Sequence, residues 1–334
     1  MKNRIKIVIL MILIFSTSLF SAFDGPQVGA RAVALSGAFC AISDNVTGIY
    51  YNPGGLGQLD NNQLFASFFS LYHNIDDYIY NGSLNISLFN INLGVMALGW
   101  YGLFTEPYQE NTITFSYGNR ILGLKDHRLY GGMNMKILHK SYKENDYTRF
   151  DPVFSSGLSK MGLSFDIGFL YSIFNQLNLG LAFLNVNEPD MGLEDESRVP
   201  LILQTGIAYD LKTLLLRRLK WFDRFRLTVN GKIREKEYRI SSGLDLLFLN
   251  AININSGYSM GERRFEQVSF GFGFQKNYNY PSSIEKQVGD EDSYEIVEIE
   301  KTLRIIVNYA FVYYLNDAHL FTYGNHYIEV GITF

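Results

Sequence analysis

Cysteine is all but absent: Cys40 is the only one in 334 residues. That excludes a disulfide framework and a cysteine-based zinc set. Cys40 also lies too far past the N-terminal segment to serve as a lipid-bearing cysteine, and a small buried hydrophobe is the better reading. Histidine is scarce too, and His73, His127, His139, His319 and His326 show no metal-ligand spacing. There is no excess of positive charge, the formal net charge being −4, and no basic patch with interleaved aromatics, so nucleic acid is not an expected partner. After the first two dozen residues, no run is apolar enough to cross a bilayer as a helix. Gly271-Phe-Gly-Phe resembles a nucleotide loop only superficially, because it lies in an alternating segment and opens no helix. No nucleophile–base pair or pair of acids can be assembled from the sequence. The expectation is a protein that is not an enzyme and needs no cofactor or metal.

What the chain does have begins at its N-terminus. Lys2, Arg4 and Lys6 precede an almost wholly apolar run from Ile7 to Phe15, followed by small residues at Ser16, Thr17, Ser18, Ser21 and Ala22. This reads as a secretory signal over residues 1–22, cleaved near Ser21 or Ala22. A retained anchor is the alternative, but the apolar core is shorter than the ~20 residues a span needs. Cleavage would remove three positive charges and shift the net charge from −4 to −7.

Aromatics are abundant, with 26 Phe and 23 Tyr, as suits a protein with aromatic girdles at two membrane interfaces. From Gln63 onward the hydrophobic period is two. Val268, Phe270, Phe272 and Phe274 alternate with Ser269, Gly271 and Gly273, and Phe225, Leu227, Val229 and Ile233 with Arg226, Thr228, Asn230 and Lys232. Met161, Leu163, Phe165, Ile167 and Phe169 do the same. Each segment has one apolar face and one polar or small face, as a wall between lipid and a wet interior requires. About fourteen such segments can be counted between residues 63 and 334, and an even number suits a single-chain bacterial barrel. A soluble β-sandwich would also alternate, but with its apolar face inward. Ile328, Val330, Ile332 and the terminal Phe334 close the chain in a pattern that resembles the signal read by the outer-membrane assembly machinery. The expected location is the cell outer membrane, with the lipid bilayer and that machinery as partners.

Connections after the second, sixth and tenth segments are short, and those after the third, fifth and seventh are expected to be longer and polar, for example Tyr142–Ser156 and Glu188–Arg198. Short periplasmic turns and longer outer loops produce this asymmetry. Leu211–Asp223 reads as a short amphipathic helix on the periplasmic side, and 277–300 as a charged insertion that could extend the thirteenth strand.

The stretch from Val28 to Gly57 follows different rules. Ala30, Val33, Ala34, Gly37, Ala38 and Ala41 fall on one helical face, all small enough for close backbone approach. Asp44 is placed to cap a second short helix through Val46–Tyr51, which Pro53 ends. Residues 23–60 are therefore expected to form a plug inside, or against one end of, a barrel made by 61–334.

The same stretch resembles the N-terminal motif of the PorV/PorQ group of outer-membrane proteins. The residues that carry the likeness are Gly29, Ala30, Arg31, Gly37, Ala38, Phe39, Asp44, Tyr50, Asn52, Pro53, Gly55 and Leu56. Tyr309, Ala310, Phe311, His319 and Val330–Phe334 are similar to that group's last hairpin. The resemblance implies the fourteen-stranded architecture of FadL-like fatty-acid and hydrocarbon transporters, whose hatch carries an Asn-Pro-Ala motif. Here Gly54 stands in place of that Ala, and the outer loops are modest. By this resemblance the hatch and gate residues are Gly29, Arg31, Gly37, Asp44, Asn52, Pro53, Gly54 and Gly55, with Asn52-Pro53-Gly54 as hinge.

Under the registers above, Arg226, Lys232, Arg234, Arg239, Asp245, Arg304 and Glu329 point inward. They either pair with one another and the plug to fill a closed interior, or line a polar path. Two functions stay open: passive transport of a hydrophobic or amphipathic small molecule gated by the hatch, and a PorV-like scaffold that partners a protein secretion machine.

Overall fold

A computed structural model of the chain describes residues 23, 27–70, 79–90, 93–212, 221–262, 264–287, 294–316 and 322–334. Residues 1–22, expected to be a signal, most of Leu211–Asp223, and His73 and His319 lie outside them. The strands are β1 (Gln63–Ser70), β2 (Tyr80–Asn90), β3 (Gly94–Phe104), β4 (Tyr108–Gly123) and β5 (His127–Tyr142). Then come β6 (Ser159–Ile173), β7 (Leu177–Leu184), β8 (Ile202–Asp210), β9 (Phe222–Arg234) and β10 (Glu237–Phe248). The last four are β11 (Ile252–Gly261), β12 (Glu266–Gln287), β13 (Tyr294–Tyr314) and β14 (Asn325–Thr333). Each pairs antiparallel with its sequence neighbours, and β1 closes on β14 from Gln63↔Thr333 to Ser70↔His326. The expected fourteen-stranded barrel is borne out, and closure of β1 on β14 leaves the wall itself without an edge strand.

Alternation decides which face meets lipid. Phe115, Phe165, Ile207, Val229, Phe272 and Ile328 stand exposed on the outer face, while Thr114, Asp166, Thr228 and Glu329, of the opposite parity, are buried in the lumen. A soluble sandwich would reverse these two sets. Aromatic contacts gather near both ends of the wall, Phe68–Tyr80–Phe104–Trp100 at one and Phe222–Phe248 and His127–Tyr171 at the other. Such girdles mark the two membrane interfaces.

Both chain ends of the wall meet at one rim, where Asn62 and Phe334 exchange two backbone hydrogen bonds of 3.0 Å. That rim also carries the tight turns Phe174-Asn175 and Leu249-Asn250, each pair with φ between 50° and 55°. Left-handed conformation at both central residues is the signature of the two-residue hairpin turn. This rim is the periplasmic one, since the longer connections 143–158 and 185–201 lie at the other. One expectation needs correction: the connection after β3 is only residues 105–107, because β3 and β4 run on further than the sequence suggested. The charged insertion 277–300 is likewise no separate unit. Its described part continues both β12 and β13, which pair from Gln267↔Tyr314 to Gln287↔Tyr294.

Candidate functional site

Residues 27–59 fill the lumen, and nearly all are buried. Irregular backbone is tolerated at membrane depth only where protein encloses it and supplies its hydrogen bonds. The wall does so here. Asn134 Nδ2 donates to Ile49 O (2.9 Å), Thr228 Oγ1 donates to Ala38 O (3.0 Å), and Gln63 Oε1 accepts from Val46 N (2.8 Å). Val28, Phe39, Ile42, Ile49 and Leu56 form one apolar cluster with the lumen-facing Phe65, Phe69, Tyr101 and Tyr327 of the wall.

The local conformation departs from two sequence expectations. Helix α1 covers only Ala30–Ala34, because Ser36 and Gly37 adopt φ of 54° and 79° and turn the chain out of the helix. Val46–Tyr50 is a 3-10 turn preceded by Asn45, with no side-chain cap. Asp44 is absent from that cap because its carboxylate is engaged elsewhere.

Its partners form a buried charge cluster between plug and wall. Arg31 on α1 donates to Asp44 (2.6 and 3.2 Å) and to Asp245 on β10 (2.6 Å). Arg226 on β9 completes the Asp44 side at 3.0 Å, and Arg224 donates to both Asp245 oxygens at 3.1 Å. Asn255 donates to Asp245 Oδ1 (2.9 Å). Burial alone would lower the Arg31 pKa, but Asp245 and Asp44 outweigh it and raise it. Burial alone would raise Asp44, yet Arg31, Arg226 and Arg224 hold it far below the usual carboxylate range. Each carboxylate bridges plug and wall, so removing Asp44 or Asp245 takes the paired carboxylate from the part-buried Arg226 or Arg224 and leaves Arg31 on the other acid alone.

The second attachment is steric. Gly118, Gly132 and Gly168 are direct cross-strand neighbours on β4, β5 and β6. Against this bare strip lies the 3-10 turn Pro53–Gln58. A Cβ on Gly118 would reach within 2.5 Å of Leu56, and one on Gly132 or Gly168 would collide with Pro53 O or Asn52 Oδ1. From the plug side, a Cβ on Gly54 would lie 2.7 Å from Gly168 O. An Ala here would clash, so Gly54 lets the turn seat against β6. Asn52 fastens it, donating to Cys40 O (2.9 Å) and Phe169 O (2.8 Å) while accepting from Gly54 N (3.0 Å). Gly29 has φ of 87° and no room for a side chain beside Thr47 and Glu329, and Gly55 lies against Ser43. Cys40, on the plug, is buried against Ala182, Leu184 and Ile202 of the wall, and burial pushes its thiol up to about 12.

The remaining lumen-facing residues spread out. Glu329 is fully buried beside the plug, accepting from Asn308 (2.9 Å) and Ser67 (3.5 Å). Lys232 and Arg239 lie on the outer side of the plug, and the Arg239 guanidinium sits 3.8 Å over the Phe265 ring. Arg234 ends β9 at the outer rim, paired with Glu237 across the turn. Arg304 is at the periplasmic rim with Asn277 (2.9 Å) and takes no part in the charge cluster. Sequence reading missed Arg224, whose parity with Arg226 was available, and the ion pair of Lys136 with Asp166 (2.6 Å). It also missed the glycine strip, whose signal was glycine recurring in the inward register of consecutive strands.

Beyond the plug, a cavity of about 40 Å³ is lined by Ser36, Tyr50 and Tyr51 of the plug and by Gln204, Asn230, Lys232 and Arg239 of the wall. It holds on the order of two or three waters, far from the ~300–1,000 Å³ of a small-molecule site. Among the described residues, no group of three His, Cys, Asp or Glu could hold a metal ion.

No family model and no curated protein sequence matches the chain. Solved structures do. A FadL homologue of Pseudomonas aeruginosa superposes with a TM-score of 0.54 at 9% identity, covering 92% of this chain and 98% of that one. The toluene transporter TodX of Pseudomonas putida gives 0.56 at 10% identity, covering 93% and 98%. The fold is that of the FadL-like barrels. At such identity the likeness is one of architecture, and neither solved structure supports the PorV/PorQ side of the resemblance. A closed wall, an apolar belt and this shared fold make the chain an outer-membrane barrel.

Proposed function

We propose that the chain is a passive outer-membrane channel for small amphipathic molecules, closed by residues 27–59 and opened when the Arg31–Asp44–Asp245 cluster releases. The carrying observation is the two-sided lumen on the outer side of the plug. One side holds stacked aromatics that the plug covers in this conformation, Phe69 lying 4.7 Å from Tyr327 and 6.3 Å from Tyr101. The other presents Gln204, Asn230, Lys232 and Arg239. Such a lining suits a molecule with an apolar body and a polar or anionic head. The shared fold with TodX, a toluene transporter, is a precedent for the apolar half.

Uptake of a labelled fatty acid into liposomes tests this, comparing the native protein with Asp44→Asn. Maleimide labelling of Cys40 reports independently whether the plug has moved. The variant is expected to take up label several-fold faster and to expose Cys40. Exposure of Cys40 with unchanged uptake would refute the transport reading.

One observation supports an adaptor reading as well. Residues 276–287 of β12 and 294–303 of β13 pair only with each other, past the last contacts with β11 (Ile252↔Phe274) and β14 (Arg304↔Thr333). They form a two-stranded arm on the periplasmic side, where a secretion partner would dock. Purification from native membranes, with and without the arm, tests it: recovery of the barrel alone in both cases would count against this role.

A further inference from the structure

The two-stranded arm keeps two unlike faces where it leaves the wall. Within the wall, one parity meets lipid: Phe270, Phe272 and Phe274 of β12 and Ile305 and Val307 of β13 are exposed, while Gln275 and Asn308, of the opposite parity, are buried. The register of β12 on β13 carries both parities past the last contact with β14, Arg304↔Thr333, without a bulge. The lipid-facing set continues as Lys276, then Tyr278 opposite Leu303, then Tyr280 opposite Lys301. The lumen-facing set continues as Asn277 opposite Arg304 and Asn279 opposite Thr302. That second face is polar and hydrogen-bonded within itself, Arg304 Nε donating to Asn277 (2.9 Å) and Thr302 Oγ1 to Asn279 (3.1 Å).

A hairpin standing in water gains nothing from an apolar face. Yet Tyr278 and Tyr280 are 45% and 42% exposed, close to the 49% of Phe274 within the belt. A contiguous apolar stripe of this kind marks a surface that something covers. The charges say what covers it. Lys276 stands between Phe274 and Tyr278, and its amino group lies 5.0 Å over the Tyr278 ring. The amine thus reaches away from the belt and toward the periplasm, as a lysine does when its stem lies in hydrocarbon and its charge among headgroups. Tyrosine belongs to the same layer, its ring toward hydrocarbon and its hydroxyl toward water. Tyr280 is two residues beyond Tyr278, about 5 Å deeper on a strand tilted by ~40°, which stays within a headgroup layer roughly 5–7 Å thick. Lys301 lies across from it, so two amines and two phenols share one short face.

We infer that this face of the arm is a lipid-binding surface, which lies on the periplasmic leaflet and takes anionic phospholipid headgroups at Lys276 and Lys301. A phosphodiester oxygen accepts from an ammonium group in a charge-assisted hydrogen bond, and a lipid without a cation of its own leaves that attraction unopposed. A protein partner fits the face less well. A protein interface ends in a polar rim, whereas this stripe runs without interruption into the lipid-covered wall. Such a surface serves a channel and an adaptor alike.

Spin labels introduced singly in a Cys40→Ala background test the placement, with the protein in vesicles of phosphatidylcholine and phosphatidylglycerol. The ratio of collisions with oxygen to collisions with a polar nickel chelate is expected to be several-fold higher at Tyr278→Cys and Tyr280→Cys than at Asn279→Cys. Equal ratios at all three positions overturn the inference, because the arm then stands in water. Exclusion of both reagents at Tyr278→Cys and Tyr280→Cys also overturns it, because a second copy of the chain then covers the face. Spin-labelled lipids test the chemistry. The native protein is expected to hold labelled phosphatidylglycerol several-fold more than labelled phosphatidylcholine, a preference that free inorganic phosphate leaves intact and Lys276→Gln/Lys301→Gln abolishes. Equal retention of the two lipids by the native protein, or a preference that survives in the folded double variant, overturns the headgroup assignment. The native-protein comparison decides even where a variant fails to assemble.

Discussion

Among single residues, Asp44 carries the clearest consequence. Its carboxyl is held below the ordinary range because three guanidinium groups outweigh the penalty of burial. A carboxyl whose pKa is depressed by folding contributes stability that is fully present above its unfolded value of ~4. That contribution is lost only as pH falls through the lower folded value. The plug should therefore stay locked through mild acid. Single-channel conductance in planar bilayers is expected to be unchanged between pH 7 and pH 5, whereas Asp44→Asn should conduct at both. Opening of the native protein on acidification to pH 5 would show that some other group controls the plug. Arg31 behaves consistently, since the Asp245 and Asp44 carboxylates raise it against the opposing effect of burial. The pair thus holds its charges over the whole physiological range, so the proposed gating calls for a competing ligand or a mechanical pull rather than a change of pH.

At the scale of elements, the plug is seated rather than merely enclosed. Gly118, Gly132 and Gly168 present backbone to backbone, and the turn Pro53–Gln58 fits only because no side chain stands on that strip. Gly168→Ala should displace the turn while leaving the strand pairing intact. Gly82→Ala is the control, its added Cβ meeting Trp100 at an ordinary 3.6 Å. Both variants are expected to migrate as folded barrels without heating, but only Gly168→Ala should make Cys40 reactive to maleimide. A silent Gly168→Ala would mean that the turn is held elsewhere. This element also shows what could be read in the chain. The strands were legible because every lipid-facing position has to be apolar, so Phe270, Phe272 and Phe274 declare their face. Arg226 and Asp245 were legible as inward residues by parity. Their partners were not, since pairing Arg31 with Asp245 requires the fold to bring residues 214 apart into contact. Helical spacing misled over residues 35–42, because small residues every third or fourth place also suit a chain pressed against glycine strips.

Across the whole molecule, the plug and the wall share both ends of the lumen, while the arm made by 276–287 and 294–303 shares neither. It continues two strands by about 40 Å beyond their neighbours, at ~3.4 Å per residue. Both of its edges leave backbone groups unpaired, a configuration that invites association unless charge or proline prevents it. The sequence supplies both: Pro281 stands within one strand, and Lys276, Glu285, Lys286, Glu295, Glu298, Glu300 and Lys301 place charges of both signs along the hairpin. A hairpin this long is marginal by itself, and no register contact links it to β11 or β14. Its persistence therefore owes nothing to closing the barrel. Replacing residues 276–303 by a short turn should leave assembly, heat-modifiable migration and plug closure unchanged, because the wall contacts from Ile252↔Phe274 and Arg304↔Thr333 onward remain. If the truncated protein instead fails to assemble, the arm acts in folding. If it assembles yet loses a protein that co-purifies with the native barrel, the arm is a docking element, and the periplasmic side becomes a working surface of the molecule.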